Sequence, residues 1–222
     1  MVASNCRAYI VDKFFPGATW TSSHVYGQGL INRSRGLTYY NTPKCASMWM
    51  RKYISDLGTN LNDRWDSHNF TTEDSKGLTP VIIVRDPVQR WLSQCPMADG
   101  LPTAVAENTI DSVFENFEYF LTDEHTTPQY NFIDGLDLTH AVYFWCDNDL
   151  STKMKRFFDS HGFTSTTPPA PVNEQEVQPN VDAINQSKNI WRDLLSRPKY
   201  FEVFKQAYSR DYALINSVTF YE

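Results

Sequence analysis

The run Val81-Ile82-Ile83-Val84, followed at once by Arg85-Asp86-Pro87, constrains this fold more than any other stretch. Four consecutive β-branched residues leave no polar side, so a strand built from them must be covered on both faces. Such a strand belongs inside a parallel sheet flanked by helices. Pro87 has a fixed φ and lacks the N–H that a helix start cannot use, so it suits the first helical position. Asp86 before it is placed to cap that helix. The expectation is a strand to Val84, a cap at Asp86 and a helix from Pro87.

The same alternation recurs along the chain. Leu37 to Asn41 is a short apolar strand candidate, and Ser47 to Leu57 has helical spacing, ended by Gly58. Thr59 to Thr79 is polar and fits no element. Ile110 to Leu121 has helical periodicity, Ala141 to Cys146 is a second buried strand candidate, and Leu150 to His161 is a helix stopped by Gly162. Thr164 to Pro179, with Pro168, Pro169 and Pro171, reads as loop; helices follow over Val181 to Ser196 and Pro198 to Asn216. The fold class expected is α/β: three layers around a central, mainly parallel sheet, a P-loop-like strand-loop-helix phosphate site, and a helix-rich C-terminal part. One domain over 1–222 is expected, with 1–35 an irregular lead-in.

The 222 residues include 41% hydrophobic side chains, enough for a core. No apolar run approaches the roughly 18 residues of a membrane span. Met1 to Lys13 lacks the basic-then-apolar order of a secretory signal. Cys6, Cys45, Cys95 and Cys146 are scattered without metal-ligand spacing, so free thiols in a reducing compartment, no metal and a cytoplasmic location are expected. A net charge of −6 disfavours nucleic-acid binding by bulk electrostatics. An anionic ligand would need a local basic pocket, and Lys44, Arg51, Lys52, Arg85 and Arg90 supply one.

Two segments carry the chemistry. Tyr40-Asn41-Thr42-Pro43-Lys44-Cys45-Ala46-Ser47-Met48-Trp49 passes from strand to helix, and a helix start offers unpaired N–H groups and a positive dipole end to an anion. Lys44 and Ser47 add a charge and a hydroxyl. The glycines of a Walker loop are absent. Cys45 and Arg51 have the spacing of a Cys-x5-Arg phosphatase loop, but Met48-Trp49-Met50 fill the space that such a loop keeps small. The second segment, Arg85-Asp86-Pro87-Val88-Gln89-Arg90-Trp91-Leu92-Ser93, places a guanidinium at a strand end and a hydroxyl along the next helix. In an α/β sheet both segments fall at the carboxyl ends of strands, where ligands bind.

Pro43-Lys44-Cys45-Ala46-Ser47-Met48-Trp49 resembles the phosphosulfate loop of sulfotransferases that use 3′-phosphoadenosine-5′-phosphosulfate (PAPS), whose pattern is Pro-Lys-Ser/Cys-Gly/Ala-Ser/Thr-Thr/Ser-Trp. The second segment resembles that family's 3′-phosphate pattern, Arg-Asp-Pro-x-x-Arg-x-x-Ser. The resemblance is specific over about Leu37 to Ser93, so 37–93 is the expected PAPS-binding core. It implies that Lys44 contacts the 5′-phosphate and the bridging oxygen. Ser47 and the amides of Cys45 to Met48 would hold the 5′-phosphate, and Trp49 would stack on adenine. Arg85 and Ser93 would hold the 3′-phosphate. Met48 departs from the pattern, standing where many members have a second hydroxyl. Trp49 also reads as an ordinary core residue, and Arg90 as a partner of Asp86 or a secondary ligand contact.

The implied reaction moves a sulfuryl group from PAPS to a hydroxyl of a saccharide or small metabolite, leaving adenosine 3′,5′-bisphosphate, with no metal. His68, seventeen residues before Arg85, is the first candidate for general base, with Asp66 beside it. His125 is the second, in a stretch that resembles a His-x-x-Pro-Gln motif of carbohydrate-type members. Gln129-Tyr130-Asn131-Phe132-Ile133 and the C-terminal half also look carbohydrate-type, and the glycine-rich segment of the small-molecule cytosolic group is missing. Either histidine also reads as a solvated loop residue. A non-catalytic nucleotide-binding relative is the alternative. The acceptor would be met by Gly58 to Gly77, Met97 to Asn108 and Thr164 to Pro179, whose composition names no substrate.

Overall fold

The computed structural model describes residues 28–57, 64–69, 76–94, 101–122, 125–134, 136–163, 167–169 and 181–222. The chain divides into two compact units, the first drawn from residues 1–85, 129–170 and 217–222, the second from 86–128 and 171–216. Among the described residues no helix is long and apolar enough to cross a membrane.

The first unit is built on a five-stranded sheet. Its strands are β1 (Gln28–Asn32), β2 (Leu37–Tyr40), β3 (Asp66–Asn69), β4 (Thr79–Val84) and β5 (Val142–Trp145), ordered β3-β1-β2-β4-β5. β2, β4 and β5 pair parallel, while β1 runs antiparallel to both of its neighbours, so the sheet is mixed. The stretch read as irregular lead-in therefore ends in a strand. β1 and β2 form a hairpin whose turn closes at Gly36, with φ of 67°. That value favours glycine. The Asn32 side chain braces the turn by accepting from the Arg35 N–H at 2.9 Å and from Ser34 Oγ at 2.7 Å.

Two helices pack on one face of this sheet. Helix α1 (Ser47–Leu57) buries Trp49, Met50, Tyr53, Ile54 and Leu57, a stripe at helical spacing. Helix α5 (Leu150–Ser160) buries Leu150, Met154, Phe157 and Phe158. They meet Leu37, Tyr39, Val81, Ile83 and Phe144 in one core. Ile31, Thr38, Tyr40, Ile82 and Val84, on the opposite face by strand alternation, are also buried. The β-branched run is thus enclosed on both sides. Gly162, with φ of 77°, follows α5 as expected, its N–H donating to the Asp159 carbonyl.

The second unit is helical. It contains α2 (Pro87–Gln94), α3 (Leu101–Ala106), α4 (Ile110–Glu115), a 3-10 segment (Phe117–Thr122), α6 (Val181–Ser196), α7 (Pro198–Ala207) and α8 (Ser209–Ser217), the last residue aside. Its core is aromatic. Trp91 is stacked on Phe117 at 5.1 Å and meets Trp191 edge-on at 5.0 Å, with Phe204 and Tyr208 around them. Two expected helices are divided. The one over Ile110 to Leu121 ends at Glu115; Asn116, with φ of −117° and ψ of 32°, donates its Nδ2 to the Ser112 carbonyl, and a 3-10 segment follows from Phe117. The last breaks at Tyr208, which stacks on Phe204 and whose hydroxyl donates to the Thr126 carbonyl. α3 lies within a stretch expected to be acceptor loop.

Candidate functional site

β2 and β4 are parallel neighbours, with Tyr40 opposite Ile82. Their carboxyl ends therefore lie side by side, and the Lys44 turn and Arg85 leave from the same edge of the sheet. That placement follows from strand pairing, since the two motifs are about forty residues apart in sequence.

The turn after β2 takes an unusual path. Thr42 to Cys45 closes a β-turn, the Cys45 N–H donating to the Thr42 carbonyl at 3.2 Å. Pro43 occupies its second position and Lys44, with φ of 62°, its third, the marks of a type II turn. Ala46 is also left-handed, with φ of 55°, and its carbonyl accepts the first helical bond, from the Met50 N–H at 2.9 Å. Two non-glycine residues at positive φ in three positions store strain on the order of 1–2 kcal/mol each. The turn thereby takes a curled backbone with two positive φ values and no glycine. Beyond it, the first turn of α1 leaves its N–H groups without intrahelical partners. Ser47 is half-buried and opens that turn, whereas Met48 is 65% exposed and contributes no hydroxyl.

Arg85 ties the two motifs together. Its Nη1 donates to the Lys44 carbonyl at 3.0 Å. Its Nε is buried and has no hydrogen-bond partner among the described residues. Gln129 holds the Arg85 backbone from both sides, Oε1 accepting the Arg85 N–H at 3.0 Å and Nε2 donating to the Arg85 carbonyl at 2.7 Å. Cys45 Sγ donates to the same Oε1 at 3.3 Å. Asn41 Oδ1, just before the turn, is also buried without a hydrogen-bond partner among the described residues.

Burial favours the neutral forms of Cys146 and Tyr39. Burial pushes the Cys146 thiol up, Arg85 opposing it. Burial also pushes the Tyr39 hydroxyl well above its usual range, with Cys45 adding to the effect and Arg51 opposing it. Cys45 is fully buried and donates as a thiol. A cysteine nucleophile needs an exposed, thiolate-favouring setting, so this environment argues against phosphatase chemistry.

The other sequence candidates are distributed as follows. Pro43 is buried and Lys44 half-buried in the turn. Trp49 is 9% exposed, lies in the core of the first unit, meets Tyr53 at 5.4 Å and donates its indole N–H to the Pro169 carbonyl at 2.8 Å. Its surroundings are those of a core residue. His68 sits on β3 with its backbone opposite Gly29; its side chain lies outside the described residues. Asp66, on the same strand, is exposed and paired with Arg64 at 3.2 Å. His125 and Ser93 belong to the second unit. Ser93 Oγ donates to the Arg90 carbonyl at 2.7 Å, one turn back on α2. Asp86 caps α2 as expected, its Oδ1 accepting from the Gln89 N–H at 2.9 Å. Arg90 is 1% exposed, and its Nη1 donates to the Thr127 carbonyl at 2.6 Å. It therefore serves the core of the second unit.

Gln129 is the site residue to which sequence reasoning gave no role. Its only signal was position: a polar side chain after Pro128, inside a motif-like stretch and just ahead of the apolar Phe132-Ile133. Compared with family models, with curated proteins and with solved structures, the chain finds no match.

Proposed function

We propose that this protein is a sulfotransferase that moves a sulfuryl group from PAPS to a hydroxyl of a saccharide or small metabolite. The frame proposed is three-layered, with a P-loop-like strand-turn-helix phosphate site after β2. The observation that carries the reading is the bond from Arg85 Nη1 to the Lys44 carbonyl, because within the first unit it joins the phosphosulfate-like turn to the arginine that opens the 3′-phosphate-like motif. The strained Lys44–Ala46 turn and the unpartnered, buried Arg85 Nε also fit a ligand bearing phosphates.

In this reading the protein's share of the chemistry is alignment and charge. Sulfuryl transfer is a displacement at sulfur, physically akin to phosphoryl transfer. Lys44 stabilises the negative charge that grows on the bridging oxygen as the bond to the leaving phosphate breaks. Ser47 and the amides at the start of α1 hold that phosphate. Arg85 binds the 3′-phosphate, and a general base takes the acceptor proton. Trp49, enclosed in the core, is better assigned to packing than to adenine.

The test has two stages. Adenosine 3′,5′-bisphosphate should raise the melting temperature of the protein, and labelled PAPS should pass its sulfate to a member of a pooled acceptor library. Binding without transfer would favour a non-catalytic relative; absence of both removes the proposal. Lys44→Ala should lower turnover more than nucleotide affinity.

A further inference from the structure

Gln129 has no part in the chemistry proposed above, yet it makes more contacts around Arg85 than packing alone requires. It is 3% exposed. Its carboxamide makes both bonds of a strand pairing to a single residue, taking the Arg85 N–H at 3.0 Å and giving to the Arg85 carbonyl at 2.7 Å. Arg85 stands one residue past the end of β4, where the ladder to β2 has already stopped. Backbone groups left there without partners would be costly. Capping a strand end accounts for these two bonds.

It does not account for the third. Cys45 Sγ donates to the same Oε1, and Cys45 is the residue after Lys44, whose carbonyl accepts Arg85 Nη1. The contacts therefore close a circuit: Lys44 to Cys45 by the chain, Cys45 to Gln129 by the thiol, Gln129 to Arg85 by the carboxamide, and Arg85 back to Lys44 by the guanidinium. A circuit fixes relative positions in a way that a single bond cannot. We infer that Gln129 is a positioning residue that holds Arg85 and the Lys44 turn in one geometry for the phosphates of the ligand. This rests on the nucleotide-binding reading proposed above. Gln129 does not touch the reacting atoms; it acts through Arg85.

A double-mutant cycle on the full chain tests it, using adenosine 3′,5′-bisphosphate as the probe in calorimetry. Gln129→Met keeps the side-chain volume and removes all three bonds, and Gln129→Ala serves as the more disruptive companion. Gln129→Met should weaken binding by roughly tenfold in the wild-type background. In an Arg85→Ala background it should weaken binding by no more than about twofold. Equal losses in the two backgrounds, or no loss in either, would overturn the inference and leave Gln129 as packing. Amide hydrogen exchange provides a readout that needs no nucleotide. Gln129→Met should speed exchange at the Arg85 N–H while Ile82 and Ile83 stay protected, and unchanged Arg85 exchange would also overturn it. If the wild-type chain binds no nucleotide, the proposed function falls while the exchange result still decides whether the brace exists.

Discussion

Arg85 and Arg90 stand five residues apart in one motif and have opposite fates. Arg85, in the first unit, is half-buried; it reaches a carbonyl of a strained turn and keeps one buried nitrogen without a partner among the described residues. Arg90, in the second unit, is 1% exposed and gives its guanidinium to a backbone carbonyl. Both are arginines because a planar fork of donors suits fixed oxygens. In one place the oxygens belong to the protein and complete a core. In the other, part of the fork is left over, as a binding residue requires. Burial together with satisfied hydrogen bonding marks a structural arginine; an orphaned donor beside a strained turn marks a candidate for function.

Breaking the structural side should give the largest effect. Arg90→Ala removes a fully buried side chain and leaves the Thr127 carbonyl without its donor, so it should cost about 3 kcal/mol or more, read as a lowered denaturant midpoint. Arg85→Ala should do the reverse, changing stability by about 1 kcal/mol or less while weakening adenosine 3′,5′-bisphosphate binding by roughly 10- to 100-fold in calorimetry. If Arg85→Ala instead unfolds the chain and Arg90→Ala spares it, the comparison is inverted. Lys44→Gly sharpens it further. Glycine adopts the positive φ of that position without strain, so the variant should be more stable by up to about 1 kcal/mol in thermal denaturation yet slower in sulfate transfer.

The smallest effect is at alkaline pH. Burial, with Asp159 adding to it, pushes the Tyr53 hydroxyl from its ordinary 10.0 up to about 12. A raised folded-state value favours the protonated form, so its contribution to stability is whole below pH 10 and is lost as pH rises toward 12. Tyr53→Phe removes that titration, and the fall in denaturation midpoint between pH 10 and 12 should become shallower. An unchanged slope would mean that Tyr53 ionises as readily in the folded chain as in the unfolded one.

Much of the scaffold was legible because it rests on local rules. Ser47–Leu57 and Val181–Ser196 form the helices expected from their spacing, and Asp86 with Pro87 starts a helix as cap and first residue. β1 and β3 were not legible. Gln28-Gly29-Leu30-Ile31-Asn32 and Asp66-Ser67-His68-Asn69 have little strand propensity; β1 is a strand through pairing with β2, and β3 through pairing with β1. Trp49 carries the motif identity of an adenine-stacking residue, while its environment is set by the core around it and by Pro169, 120 positions away. Gln129 was unreadable for the same reason, since its partners lie 44 and 84 positions away.

The sequence by itself determined that residues 37–93 would make strand, turn and helix twice, with a cation at each junction, because β-branched runs, proline and helical periodicity act over a few residues. It also placed Lys44 in a turn without glycine, but left open how such a turn could curl. The tertiary structure decided that the two junctions would be neighbours, that Lys44 and Ala46 would bear positive φ, that Arg85 would reach Lys44 while Arg90 would not be spared for binding, and that Gln129 would clasp Arg85. Those outcomes depend on strand order and on hydrogen bonds that span tens of residues, and no local pattern encodes which distant partner will accept a given donor.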